Sequence, residues 1–137
     1  MKLIRVLGGA VCGVVATATM SAHMLGMPSQ ARIGAPPPSR LAGVVLPRRS
    51  PSEQRVAATL LHLAIGTGAG AAFGAMSRRG GPLKGAAFGL AVWAWGYEIM
   101  LPLVGVMRPA HRDSPGRVSA LIQAHLIYGA TLGALMR

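Results

Sequence analysis

Four long apolar runs alternate with shorter polar segments along the chain. The runs cover residues 6–27, 56–77, 85–107 and 118–136. An α-helix rises about 1.5 Å per residue, and about 20 apolar residues are enough to cross a bilayer. The pattern therefore predicts an all-α protein, an integral membrane four-helix bundle. All 137 residues are expected to form a single membrane domain, with a Pro/Arg-rich connector at 28–55.

Small residues recur at every fourth position inside these runs, which places them on one face of each predicted helix. In lipid, helices associate by close backbone approach at such G-x-x-x-G patterns, because the acyl chains are as apolar as any side chain. The spacing predicts that these glycines pack the helices together: Gly9, Gly13, Gly66, Gly70, Gly74, Gly85, Gly89, Gly129 and Gly133.

The first run has two interpretations. Lys2 and Arg5 precede it, and Ala16-Thr17-Ala18 resembles a cleavage site, so a secretory signal is one alternative. The run is longer than a signal needs and carries Gly9 and Gly13, which favours a retained membrane span.

Proline and serine residues set the expected helix boundaries. Pro36-Pro37-Pro38 predicts a non-helical stretch, and the short apolar segment 41–47 is expected at the interface or against the mouth of the bundle. Ser52 is the expected N-cap of the second span. In the third span, Pro102 removes the amide that would bond to the Glu98 carbonyl, so a bend is expected there.

The second half of the chain echoes the first. The segments HLAIGTGAG (62–70) and HLIYGATLG (125–133) share four residues in register, and Gly9–Gly13 resembles Gly85–Gly89. This pattern predicts two tandem helical-hairpin repeats related by an axis along the membrane normal.

Composition agrees with a membrane protein. The chain is 52% hydrophobic and only 12% charged, with 14 Lys+Arg against 3 Asp+Glu, whereas soluble domains carry about 25% charged residues. The basic residues flank the apolar runs instead of forming a nucleic-acid-binding face, so no nucleic-acid partner is expected.

Cys12 is the only cysteine, so no internal disulfide can form. Weighting of the flanking charges predicts that both termini are cytoplasmic.

Each predicted span contributes one ionisable side chain to the same half of the bilayer: His23, His62, Glu98 and His125. Such residues are costly in lipid and usually face the bundle interior. Three hypotheses stay open. The cluster is a structural polar contact, a conduit for protons or cations, or a haem or divalent-metal site. In the third case His62 and His125 are axial ligands, or all four residues hold the ion.

Motifs for enzyme chemistry are absent: there is no phosphate-binding loop, no H-E-x-x-H and no cysteine pair. Trp93 and Tyr97 are expected to fill space opposite glycines, and Asp113 is expected in a solvated turn. The sequence therefore predicts a non-enzymatic structural or accessory membrane component, in a homo-oligomer or a larger membrane complex.

Several segments in order also resemble the YagU-like family of small bacterial inner-membrane proteins of unknown function. They include PRRSP at 47–51, the His-Leu pair of the second span, GAAFGLAVWAWGYEIMLPLVG in the third span and His125-Leu126 in the fourth. Members of that family carry a histidine in the third span, where this chain has Glu98. The resemblance implies an inner-membrane location and no signal cleavage, and it supplies no catalytic residues.

Overall fold

A computed structural model describes residues 2–27 and 37–137, and over these residues the regular structure is entirely helical. The long helices are α1 (Lys2–Gly26), α3 (Pro51–Met76), α4 (Pro82–Leu103) and α5 (Pro115–Leu135), and a short helix α2 spans Pro37–Val45. Each long helix is long and apolar enough to cross a membrane. The predicted all-α bundle with several membrane-spanning helices is confirmed.

The helices are arranged up and down as two antiparallel pairs. At one end the start of α1 meets the end of α3, because Arg5 lies against Gly74. The turn Ser77–Gly81 lies at this same end, where the amides of Gly80 and Gly81 donate to the carbonyls of Met136 (2.9 Å) and Gly133 (2.7 Å). We call it the turn end. The opposite end, where α2 and the segment 104–114 lie, is the connector end.

Glycines line the contact within each pair. A Cβ at Gly13 would collide with the Gly66 carbonyl and approach the Gly70 Cα, so α1 and α3 touch through their backbones. A Cβ at Gly85 would collide in the same way with Gly129 and Gly133, which joins α4 to α5. The α1–α5 contact joins the two pairs.

The contacts of the two hairpins can be aligned with each other, but this alignment differs by one helical turn from the one that the sequence echo indicated. Gly13 contacts Gly66 and Gly70 as Gly85 contacts Gly129 and Gly133. The echo aligned Gly9 with Gly85, which is four positions off. Glycines repeat every four residues, so the sequence pattern fits both alignments, and only the contacts distinguish them.

Two expectations about the connector are wrong. Pro37 and Pro38 form the first turn of α2, because a helix's first amides have no intrahelical acceptor and lose nothing when proline replaces them. The α2 helix packs on α3 and buries Ala42 completely. The N-cap of α3 is Ser50, not Ser52. Its Oγ accepts from the Glu53 amide, and the Glu53 carboxylate accepts from the Ser50 amide at 2.8 Å, a reciprocal capping box. Residues 28–36 lie outside the described part.

The third span ends four residues earlier than predicted, at Leu103. Its backbone hydrogen bonds change from the α-helical to the π-helical pattern over Trp95–Met100. This turn lies next to Pro102, which has no N–H to donate. Gly105, at φ +69°, then reverses the chain, and the Val106 amide donates to the Leu101 carbonyl at 3.0 Å. This early end moves Glu98 close to the connector.

Side chains fill the space between the pairs at two levels. Toward the turn end, the buried side chains of Met20, Phe73, Tyr128 and Leu132 form one cluster, and Phe73 stacks at a tilt on Phe88 with ring centroids 5.1 Å apart. At the connector end, Tyr97, Met107 and Leu121 belong to the second cluster. Outward faces stay apolar, as expected of helices in lipid, with exposed side chains at Leu3, Leu7, Val11, Leu60, Ile65 and Leu103.

Candidate functional site

A buried polar network joins the end of α4 to the start of α5. The Tyr97 hydroxyl donates to Asp113 Oδ2 at 2.6 Å, and Arg117 Nη1 donates to the same oxygen at 3.0 Å. The Ser114 amide donates to Oδ1 at 2.6 Å. The side chains of Asp113 and Arg117 are only 12% and 15% exposed, and Tyr97 is 2% exposed. This network fastens three elements of the connector end through one carboxylate.

The expectation that Asp113 lies in a solvated turn is therefore wrong. Burial raises the pKa of a carboxyl group, but the hydrogen bonds from Tyr97 and Ser114 and the positive charge of Arg117 favour the ionised form more strongly. The pKa of Asp113 consequently lies below its ordinary value, and the group is a carboxylate at neutral pH. Tyr97 likewise has a specific partner and does more than fill space beside Trp93.

Glu98 makes a second bridge at the same end. Its Oε1 accepts from the His111 amide at 3.0 Å, and its Oε2 lies 2.8 Å from His111 Nδ1. These contacts hold the 3-10 turn Ala110–Arg112 against α4. The predicted grouping of Glu98 with the span histidines is not what the structure shows, because Glu98 lies five residues from the end of α4 and reaches the connector.

His62 and His125 are the two predicted histidines that lie near each other. They lie on α3 and α5, each about one turn before a residue of the Tyr128–Gly66 contact between these helices. His125 Nδ1 is 2.8 Å from the Leu121 carbonyl, so Nδ1 carries the proton and donates. One turn further along, the Tyr128 hydroxyl donates to the Gly66 carbonyl at 2.6 Å and also joins α5 to α3.

His23 lies three residues before the end of α1. It lines an open cleft of about 410 Å³ with Gly26, Met27 and Gln123, and its Nε2 is buried without a hydrogen-bond partner in the described part. Over residues 2–27 and 37–137, no three His, Cys, Asp or Glu side chains are grouped as metal ligands. The hypothesis that all four predicted residues hold one ion is therefore wrong. The alternative hypothesis, in which His62 and His125 are axial haem ligands, stays a prediction.

Sequence reasoning missed Asp113 and Arg117 as members of the polar network, and His111 as the partner of Glu98. One signal was present: Asp113 and Arg117 are four residues apart at a helix start, the spacing of an ion pair on one helix face. The partner residues Tyr97 and Glu98 belong to the previous span, and their contact depends on where that helix ends.

No family model matches the chain, and no curated protein or solved structure matches it. The fold and the site together define a class, a small helical membrane protein with several spans and a polar network at one end. The resemblance to the YagU-like family stays a prediction.

Proposed function

We propose that this protein is a non-enzymatic structural or accessory component of the bacterial inner membrane, with both termini cytoplasmic. One observation carries the proposal. The ionisable side chains at the connector end, Glu98 and Asp113, bond to loop and helix-start groups and hold helices together. Side chains used in this way stabilise a fold by joining its elements.

The contact surfaces of the bundle fit the same role. We propose that G-x-x-x-G packing drives the association of α1 with α3 and of α4 with α5, as it does between membrane helices generally. The outward apolar faces of α1 and α3 are then free to contact lipid, a second copy or a larger complex. The YagU-like resemblance supports the inner-membrane assignment.

A flux assay on reconstituted protein tests the structural role. Purified protein is placed in liposomes with a pH gradient, and proton and cation leakage is compared with that of empty vesicles. The structural role predicts leakage equal to that of empty vesicles, and a lower unfolding temperature for Glu98→Ala and Asp113→Asn. For orientation, a tag inserted in the Arg78–Lys84 turn is expected to be shielded from added protease in intact cells.

A proton or cation conduit is the second candidate, and the position of His62 and His125 at one level of two contacting helices favours it. Leakage that is present in the wild type and lost in His125→Ala, with the fold retained, would establish the conduit and remove the purely structural role. A visible absorption spectrum of the purified protein tests the haem hypothesis, because the porphyrin of a bound haem absorbs strongly at about 400 nm.

A further inference from the structure

An open cleft of about 270 Å³ lies at the turn end between the start of α1 and the end of α5. Its rim is basic, formed by Arg5, Arg78 and Arg137. Its other lining residues are small or apolar, with Gly8 and Cys12 on α1, and Leu135 and Met136 at the end of the chain's last helix. The basic residues of such a cleft complement a lipid headgroup, and its apolar lining complements an acyl chain.

No Asp or Glu side chain lines this cleft. The chain has three acidic residues, all at the connector end, where Glu53 and Asp113 pair with arginines and Glu98 contacts His111. Arg5 Nε is buried and has no hydrogen-bond partner among the described residues. A buried guanidinium nitrogen without an acceptor is costly, which points to an anion that completes it.

Three features select the anion's chemistry. A guanidinium group offers a planar fork of donors that fits phosphate oxygens in pairs. The cleft continues into exposed apolar surface, since Ile4 is 74% and Leu7 57% exposed. Basic pockets between membrane helices are known places for anionic headgroups. We propose that the cleft binds the headgroup phosphate of an anionic phospholipid, with an acyl chain along the Gly8–Cys12 face of α1.

Adjacent arginines provide a matched test of this site. Arg78 lines the cleft, whereas Arg79 is exposed on the same turn and does not line it. Protein is purified with added phosphatidylglycerol or phosphatidylcholine, and retained lipid is counted by native mass spectrometry. Wild type is expected to retain phosphatidylglycerol in preference. Arg5→Gln and Arg78→Gln should each weaken retention about tenfold, because each removes charge-assisted hydrogen bonds, whereas Arg79→Gln should change it less than about twofold.

A steric variant tests the acyl-chain part independently of charge. No atom lies within 4 Å of a Cβ added at Gly8, so Gly8→Leu extends into the cleft without a backbone collision. It should lower retention, whereas Gly68→Leu, at an equally open position away from the cleft, should not. Size-exclusion profiles and circular dichroism show whether each variant is folded. If an arginine variant does not fold, Gly8→Leu still tests lipid binding at this cleft.

Three outcomes would overturn the proposal. Equal losses in Arg78→Gln and Arg79→Gln would mean that only the general charge of this end attracts lipid. Equal retention of phosphatidylcholine would show that anionic charge is not recognised. Displacement of the lipid by millimolar inorganic phosphate would identify the ligand as free phosphate.

Discussion

The hydroxyl of Tyr97 donates a 2.6 Å hydrogen bond to Oδ2 of Asp113, sixteen residues further along the chain. Tyr97 lies in the π-helical turn of α4, and Asp113 directly precedes Ser114, the N-cap of α5. Because Arg117 binds the same oxygen, one carboxylate joins the exit of the third span to the entry of the fourth. The strength of this junction is directly measurable.

Replacing Tyr97 with Phe should destabilise the protein by about 1–3 kcal/mol, because a buried carboxylate loses a donor and keeps its charge. Tyr128→Phe is the matched control. Its hydroxyl is also buried and donates at 2.6 Å, but to the neutral carbonyl of Gly66, so a smaller loss of about 1 kcal/mol is expected. Unfolding in detergent followed by circular dichroism gives both values. A loss at Tyr97 no larger than that at Tyr128 would contradict the role of the carboxylate.

Acid should weaken the junction in a definite direction. The pKa of Asp113 is lower in the folded state than in the unfolded chain, so its contribution to stability is complete above its unfolded pKa of about 4 and is lost as the pH falls through the folded pKa. Stability of the wild type should therefore drop below about pH 4 more steeply than that of Asp113→Asn.

Urea unfolding at a series of pH values between 7 and about 2.5 measures the two slopes. Glu53 and Glu98 are present in both proteins, so their contributions cancel in the difference. Parallel slopes for wild type and Asp113→Asn would show that Asp113 has the same pKa in the folded and unfolded states.

The helical bundle was predictable, whereas the polar network was not. Apolar runs of sufficient length specify spanning helices directly, and proline at 51, 82 and 115 occupies the first helical position, where it is well tolerated. The position of Glu98 depended on the end of α4, which the π-helical turn and Gly105 place at Leu103. A periodicity argument counts residues as α-helical, so it could not foresee that boundary.

Asp113 shows a second reason why the polar network could not be predicted from the sequence. A carboxylate in a ten-residue connector with four basic or histidine neighbours is usually solvated, and nothing in the local sequence indicates burial. Its burial comes from Tyr97 and the packed segment Val106–Ala110, and so from tertiary contacts. The register of the two hairpins failed to follow from the sequence for a related reason, because a four-residue glycine period fits several alignments.

Gly13→Ala should destabilise the protein, whereas Gly68→Ala should not. A Cβ at Gly13 would collide with the Gly66 carbonyl, so α1 and α3 must separate, at an expected cost of about 1–3 kcal/mol. Gly68 has open space around its Cα, and alanine there should be neutral or stabilise the helix by up to about 1 kcal/mol. Thermal unfolding in one detergent compares them. A stabilised Gly13→Ala would mean that α1 and α3 do not touch at this position.

Ser50→Ala should destabilise the protein by about 1 kcal/mol, because it removes the N-cap acceptor and half of the capping box with Glu53. Ser52→Ala is the control, since Ser52 contacts only the Ser50 hydroxyl, at 3.0 Å, among the contacts described for it. Its effect should be smaller. The same unfolding assay decides between them, and a larger loss at Ser52 would restore the cap that the sequence alone had indicated.

Removal of the Glu98 side chain should loosen the turn Ala110–Arg112 selectively. Glu98→Ala deletes both contacts to His111, whereas His111→Ala deletes the ring contact and keeps the acceptor for the backbone amide at 3.0 Å. Amide hydrogen exchange read by mass spectrometry should therefore rise in residues 110–112 more for Glu98→Ala than for His111→Ala. If Glu98 instead served the histidines of α3 and α5, exchange would rise around His62 and His125 and the turn would keep its protection. The location of the change, more than its size, distinguishes a carboxylate that holds a loop from one that serves the interior of the membrane.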